Sequence, residues 1–284
     1  MYPLPGIGVI RRSYGFVSAE FGTIVRLSWF PLLIVTVGQY LVDRAQVDGV
    51  ISAVQTMNPA VLGQTQWLPL FSGLLSVVAV SIVAVAIHRV ILFGDRRPGT
   101  YIYFAFGKVE ALFIVLPLLI FVAAIILSIP AGLAAAAIDS SSPVIYIAAI
   151  AIPVLIVGFF SIRLSPLLPI AVVEERYDFR QAWDLTESNF WRLLGTFILG
   201  WLPFIVVLLG IGFVVGAVAG TSSLTVTAKP EEVIAALRRW ADFLPLVAVI
   251  NYVVLIVAGA VGVALLSFSY KALKGLGPED MLPQ

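Results

Sequence analysis

One histidine, no cysteine and a thin scatter of carboxylates are all that this chain of 284 residues brings to acid, base or metal chemistry. His88 stands beside Arg89 in IHRVI, at the end of an apolar run. A single imidazole without thiolates or a nearby carboxylate pair falls short of a protein metal site. It can titrate near neutral pH, but its position makes a structural role at the membrane interface the expectation. Glu174 and Glu175 have the residue types of a general acid/base pair, yet Arg176 follows them directly and the trio reads as a solvated loop. Ser128, Ser161, Ser165 and Ser267 lie near the ends of apolar runs, and none sits in a G-x-S-x-G elbow. No phosphate-binding loop or dinucleotide fingerprint accompanies them. The expectation is therefore a non-enzyme, with no catalytic residue, no cofactor, no metal and no nucleic-acid partner.

The remaining candidates are cations at a membrane surface, and composition supplies the membrane. Hydrophobic residues make up 61% of the chain and charged residues 12%, with a mean hydropathy of +1.06, against about 25% charged in soluble domains. Six apolar runs, near 21–42, 67–93, 109–138, 143–164, 190–219 and 243–270, are each long enough to cross a hydrocarbon core of about 30 Å at 1.5 Å per residue. Lipid offers the backbone no hydrogen-bond partner, so each run must be a helix. Pro31, Pro117 and Pro203 fall inside the first, third and fifth. The first run begins near Phe21 and continues to Val42, which is too long and too late for a cleaved signal. The expected organisation is an N-terminal segment 1–20, rich in glycine and proline with SYGFVSAEF as a brief surface helix, then a six-helix domain 21–270 and a tail 271–284.

Positive charge orients the helices. The N-terminal end, the even-numbered loops and the tail hold thirteen Lys and Arg: Arg11, Arg12, Arg26, Arg89, Arg96, Arg97, Lys108, Arg163, Arg176, Arg180, Arg192, Lys271 and Lys274. Arg44, Lys229, Arg238 and Arg239 are the four on the other side. That bias puts both termini in the cytoplasm. On the outer side, Pro230 followed by EEVIAALRRWADF reads as an amphipathic helix lying on the membrane face.

Between Arg163 and Pro203 the chain carries its clearest local signals. Asp178 and Gln181 have capping-box spacing, so a helix starts near Phe179. Phe179, Ala182, Trp183 and Thr186 share one face of it, opposite Arg180, Gln181, Asp184 and Glu187. Ser188 and Asn189 then cap a second helix whose Phe190, Trp191 and Arg192 are interfacial anchors. Phe179, Trp183 and Trp191 thus mark a helix lying on the bilayer and the turn into it.

Three hairpins in series are also visible. Phe21-Gly22 to Pro31, Phe106-Gly107 to Pro117 and Phe190-Trp191 to Pro203 give each odd-numbered helix an aromatic start and a proline about three turns later, while IHRVI, SIRLS and FSYKA end the even-numbered helices on a cation. If the hairpins share an axis, Arg89, Arg163 and Lys271 reach one depth with Arg192 beside them, a basic ring of the kind that binds anionic headgroups. Arg163 stands out, because SPLLPIAVV after it is apolar and holds its charge near hydrocarbon. The alternative is that these cations snorkel or pair with Glu174, Glu175, Asp184 and Glu187. Gly195 with Gly200, Gly212 with Gly216 and Gly220, and Gly259 with Gly262 form small-residue faces for close helix packing.

At RLSPLLPIAVVEERYDFRQAWDLTESNFWRLLG the sequence resembles a bacterial group of six-helix membrane proteins, the YciC-like proteins and the membrane domain beside some glycerophosphodiester phosphodiesterases. Arg163, Pro169, Glu174, Ala182, Trp183, Leu185, Thr186, Asn189, Trp191, Arg192, Leu193 and Leu194 carry the pattern. The resemblance implies a six-helix fold in a bacterial inner membrane and implies no enzyme activity. The fold class expected is an all-α membrane protein of three helical hairpins with short interfacial helices. The leading functional expectation is an accessory or scaffold subunit that meets lipids, a membrane-protein partner or a second copy through its cytoplasmic face. The alternative is a transporter or flippase of a lipid-like amphiphile. No charge has to lie at the bilayer centre, where Gln39, Asn251 and Tyr252 are polar but uncharged and Arg26 can snorkel, which weighs against ordinary ion-coupled transport.

Overall fold

A computed structural model describes residues 4–97, 99, 101–137, 143–220 and 229–275. Among them the chain is all-helical, in nine α-helices: α1 Gly6–Ala19, α2 Phe21–Thr56, α3 Leu68–Phe93, α4 Lys108–Ala137, α5 Pro143–Arg163, α6 Leu167–Glu174, α7 Phe179–Thr186, α8 Phe190–Ala219 and α9 Pro230–Leu273, with a 3-10 turn Pro59–Thr65 before α3. Six helical stretches are long and apolar enough to cross a membrane. Apolar side chains cover their outer surfaces. Leu199, Val206, Leu209, Phe213 and Val218 of α8 are all exposed, as lipid-facing residues must be in the absence of water.

Sequential spans pair as hairpins α2–α3, α4–α5 and α8–α9, but the three do not occupy equivalent places. α9 is the shared element, packing on α1, α2, α3 and α8, whereas α5 packs on α4 and meets α8 only sparsely. The main core lies among α1, α2, α3, α8 and α9, around Val9, Ile24, Ile87, Leu193, Val261 and Leu265.

Three expectations are corrected. The N-terminal segment is no brief surface helix. Val9, Ser13 and Val17, four residues apart, face inward from α1, Tyr14 donates to the carbonyl of Gly200 at 2.8 Å and stacks on Phe204, and the buried Leu4 N–H donates to Asn189 Oδ1 at 3.0 Å. The segment 230–242 is not a separate helix on the membrane face either. It continues unbroken through Pro245 into the last span, because Leu237, Ala241 and Leu244 find an apolar partner in Val47 and Ile51. α2 likewise runs on to Thr56. At 36 and 44 residues, α2 and α9 measure about 54 and 66 Å, well beyond the hydrocarbon core of about 30 Å.

Close packing is confined to part of the glycine set. A Cβ on Gly200 would stand 2.5 Å from Leu265 Cδ1 and one on Gly262 2.8 Å from Trp201 Cζ2, whereas Gly195, Gly212 and Gly259 have nothing within 4 Å. The α8–α9 contact therefore rests on two glycines, one on each helix.

Candidate functional site

α2, α3, α5, α8 and α9 leave a cavity of about 810 Å³ between them, within the size range of small-molecule and lipid sites. Its length follows from the helices that wall it. Ser76 and His88 on α3 both line it, 12 residues and about 18 Å apart, and on α9 the lining runs from Leu244 to Leu266, about 33 Å. It thus extends along the bilayer normal for much of the hydrocarbon thickness. Val80 of α3 and Trp201 and Leu208 of α8 line it while remaining 40%, 38% and 42% exposed, so the wall is breached on the side where lipid would lie.

Apolar side chains dominate the lining, and its polar groups are mostly self-satisfied. Thr36 and Ser76 hydrogen-bond the carbonyls of Leu32 and Ser72, one turn back on their own helices. Gln39 accepts from Ser72 at 2.6 Å and donates to Asp43 at 2.7 Å. Asn251, Ser161 and Ser165 add polarity elsewhere on the wall. Among the described residues no Lys or Arg lines it, and Asp43 is the acidic one.

His88 is placed differently from its expected interfacial position. It is fully buried, its Nδ1 lies 2.6 Å from Ser267 Oγ, and its ring meets Phe113 edge-on at 5.4 Å. Nε2 is buried without a hydrogen-bond partner. Near the end of α3, IHRVI turns its histidine toward Ser267 of α9 and Phe113 of α4 and its arginine toward Glu110 of α4.

The four cations expected to form a ring sit in different surroundings. Lys271 is buried and donates to the carbonyl of Ile91 at 2.9 Å, at the C-terminal end of α3 where the helix dipole favours a cation. Arg89 faces the buried Glu110 at 3.9 Å. Arg163 lies over the Trp183 ring at 4.5 Å and the Phe159 ring at 5.8 Å. Its Nη1 bonds Trp183 O and Thr186 Oγ1 at 3.4 Å. Arg192 is exposed. Ile91 brings Lys271 close to the α3 end that carries Arg89, while Arg163 belongs to the corner formed with α7.

That corner matches the capping signal in part. Asp178 accepts from the Gln181 N–H at 2.8 Å, but the Gln181 side chain turns to Glu174 at 3.1 Å instead of completing the box. Ala182 and Thr186 are buried, whereas Phe179, Trp183 and Trp191 are 49%, 37% and 78% exposed. Trp183 nevertheless packs against Phe159 and Phe160 of α5. Asn189 caps α8 without a side-chain bond into that helix; its Oδ1 serves Leu4. Tyr177, between α6 and α7, donates to the carbonyl of Leu112, and burial pushes its phenol up to about 12. At the start of α2, Glu20 receives the Arg96 guanidinium at 2.7 and 2.9 Å, a bond that holds its carboxyl below the usual range. The side chain of Ser128 lies outside the described residues.

Comparison with protein-family models, with curated proteins and with solved structures returns no match. The cavity was not legible beforehand. Its polar residues are scattered over separate runs, four on α2 and one or two at each of α3, α5 and α9, and the signal that would have found them is a faint one: Thr36, Gln39, Tyr40 and Asp43 fall on a single stripe of α2 that continues its membrane face outward.

Proposed function

We propose that this protein binds a lipid-like amphiphile in the cavity among α2, α3, α5, α8 and α9 and carries it between the membrane and one of its surfaces. The observation that supports this most is the breach at Val80, Trp201 and Leu208 in a long, apolar, cation-free cavity. Acyl chains fit such a wall, and a lateral opening lets them enter without crossing water. The lysine and arginine distribution supports a bacterial inner-membrane orientation with both termini in the cytoplasm. A second reading, an accessory subunit for a membrane partner, draws on the paired overhang of α2 and α9, whose apolar cluster around Val47 and Leu244 extends past the bilayer.

Reconstitution into liposomes holding a fluorescent phospholipid and a fluorescent diacylglycerol tests the first reading. The wild type is expected to copurify with lipid and to accelerate transfer of at least one probe between leaflets. Ala248→Trp, which fills the cavity wall, is expected to suppress both. A wild type that neither retains lipid nor accelerates transfer would overturn it.

A further inference from the structure

We infer that the amphiphile held in this cavity carries a protonated amine at its polar end, and that the carboxylate of Asp43 receives it. The inference rests on the amphiphile reading and names the headgroup chemistry. Asp43 lines the cavity and is only partly buried. Its Oδ1 accepts from Gln39 Nε2 at 2.7 Å, and Gln39 in turn accepts from the Ser72 hydroxyl of α3 at 2.6 Å, so a chain of hydrogen bonds fixes the carboxylate on the wall. Oδ2 has neither a hydrogen-bond partner nor a cation among the described residues, and it is not sealed from a ligand. Arg44, next to it in sequence, turns instead to Asp48 at 3.3 Å.

Charge and depth select the headgroup. Every Lys and Arg of the chain lies in the described residues, and none of them lines the cavity. An anion brought to Asp43 would meet a like charge with no cation to offset it, which a low-dielectric wall makes costly. An ammonium meets the opposite. Tyr40, one turn before Asp43 and also on the wall, adds an aromatic ring of the kind that attracts a cation. Asp43 stands about 33 Å along α2 from Phe21, at the depth where a hydrocarbon core of about 30 Å gives way to headgroups. The chain of the amphiphile then runs from Asp43 along Val35, Val80 and Ala84, past the breach. Two sources share this chemistry: an ethanolamine phospholipid, with its phosphate left in water, and a long-chain amine without phosphate.

The test is retention of single-chain amphiphiles matched in pairs. The detergent-purified full chain is equilibrated separately with oleylamine, oleyl alcohol, oleoyl lysophosphatidylethanolamine and oleoyl lysophosphatidylglycerol, passed through size exclusion, and its bound ligand counted by mass spectrometry. In at least one pair, amine against alcohol or ethanolamine against glycerol, the wild type is expected to retain the amine about tenfold over its counterpart, the scale of one charge-assisted hydrogen bond. The pair that shows the preference identifies the source. Asp43→Asn keeps the size of the side chain and removes its charge, and should bring the preference to within about twofold of none. Asp48→Asn removes an exposed carboxylate further along α2 that does not line the cavity, and should leave the preference unchanged. The size-exclusion profile confirms that both variants fold. No preference in either pair, a preference that survives Asp43→Asn, or one lost equally in Asp48→Asn would overturn the inference while leaving the cavity a lipid site. If the wild type retains none of the four, the amphiphile reading falls with it.

Discussion

Gly262 of α9 lies directly against the indole of Trp201 of α8, with Cζ2 only 2.8 Å from where a Cβ would stand. Helices in lipid gain little from hiding apolar surface from each other and depend on such close fits. Gly262→Ala must displace a ring that also walls the cavity, and an overpacked contact of this kind costs about 1–3 kcal/mol. The expected outcome is a lower thermal midpoint in detergent together with a shift in tryptophan emission. Gly259→Ala, one turn away with open space at its Cβ, should be neutral or gain up to about 1 kcal/mol from helix propensity.

Arg163 tests a different kind of contact. Its guanidinium lies 4.5 Å from the centre of the Trp183 ring and bonds that residue's carbonyl, so shape matters as well as charge. Arg163→Lys keeps the charge and loses the planar stack. A loss of about 0.5–2 kcal/mol is expected, seen as faster proteolysis between α6 and α8. Trp183→Ala should give a similar loss, and the double variant should lose less than the sum of the two.

Asp178 carries a cap whose accepting half is recognisable in sequence and structure alike. Its removal in Asp178→Ala frees the Gln181 N–H at a cost of about 1 kcal/mol. Hydrogen exchange of amides 179–186 should rise by roughly fivefold, with the membrane spans unchanged. Equal rates in the two proteins would show that tertiary contacts of Ala182 and Thr186, not the cap, fix α7.

What the sequence discloses, and what it hides, divides along one physical line. Local signals were legible: apolar runs long enough to span, the Asp178 cap, and the hairpin pairing of neighbouring spans. Long-range partners were not. Nothing local separates Lys271, which folds inward onto Ile91, from Arg192, which stays exposed, because the difference lies in what α3 presents to α9. The same holds for His88, whose imidazole is buried by α9 and α4 while the neighbouring Arg89 faces the buried Glu110. Composition also misjudged the N-terminus. Glycine and proline made residues 1–20 read as holding no more than a brief surface helix, but Gly6 allows α1 within 2.6 Å of the Thr196 hydroxyl, measured from where its Cβ would be.

The Glu20–Arg96 pair gives the chain a defined acid response. Glu20 titrates below the ordinary carboxylate value of 4.5 in the folded protein because Arg96 bonds its ionised form. A depressed folded value means that the pair contributes above the ordinary value and that the contribution disappears as pH falls through the folded one. Arg96 is 45% exposed, so the contribution is about 0.2–1 kcal/mol. Glu20→Gln should therefore melt below wild type at pH 7, with the gap closing as the pH drops past 4.5. A gap that persists unchanged into acid would assign the effect to the Thr23 hydrogen bond rather than to the ion pair.

The absence of cysteine makes orientation directly measurable. Ser18 on α1 and Arg180 on α7 are exposed at the end of the bundle that carries most of the basic residues, and Gln55 is exposed on the α2 overhang at the other end. In the orientation proposed from the charge bias, the first two lie inside the cell. Because α2 continues as one helix from Phe21 to Thr56, about 51 Å of helix separate Phe21 from Gln55, and the two ends must fall on opposite sides of a hydrocarbon core of about 30 Å. Gln55→Cys should react with a membrane-impermeant maleimide in intact cells whose outer membrane has been opened. Ser18→Cys and Arg180→Cys should react only after the inner membrane is broken. Labelling of Arg180→Cys from outside would reverse the orientation. It would then be the His88 end of the cavity that faces the cell exterior.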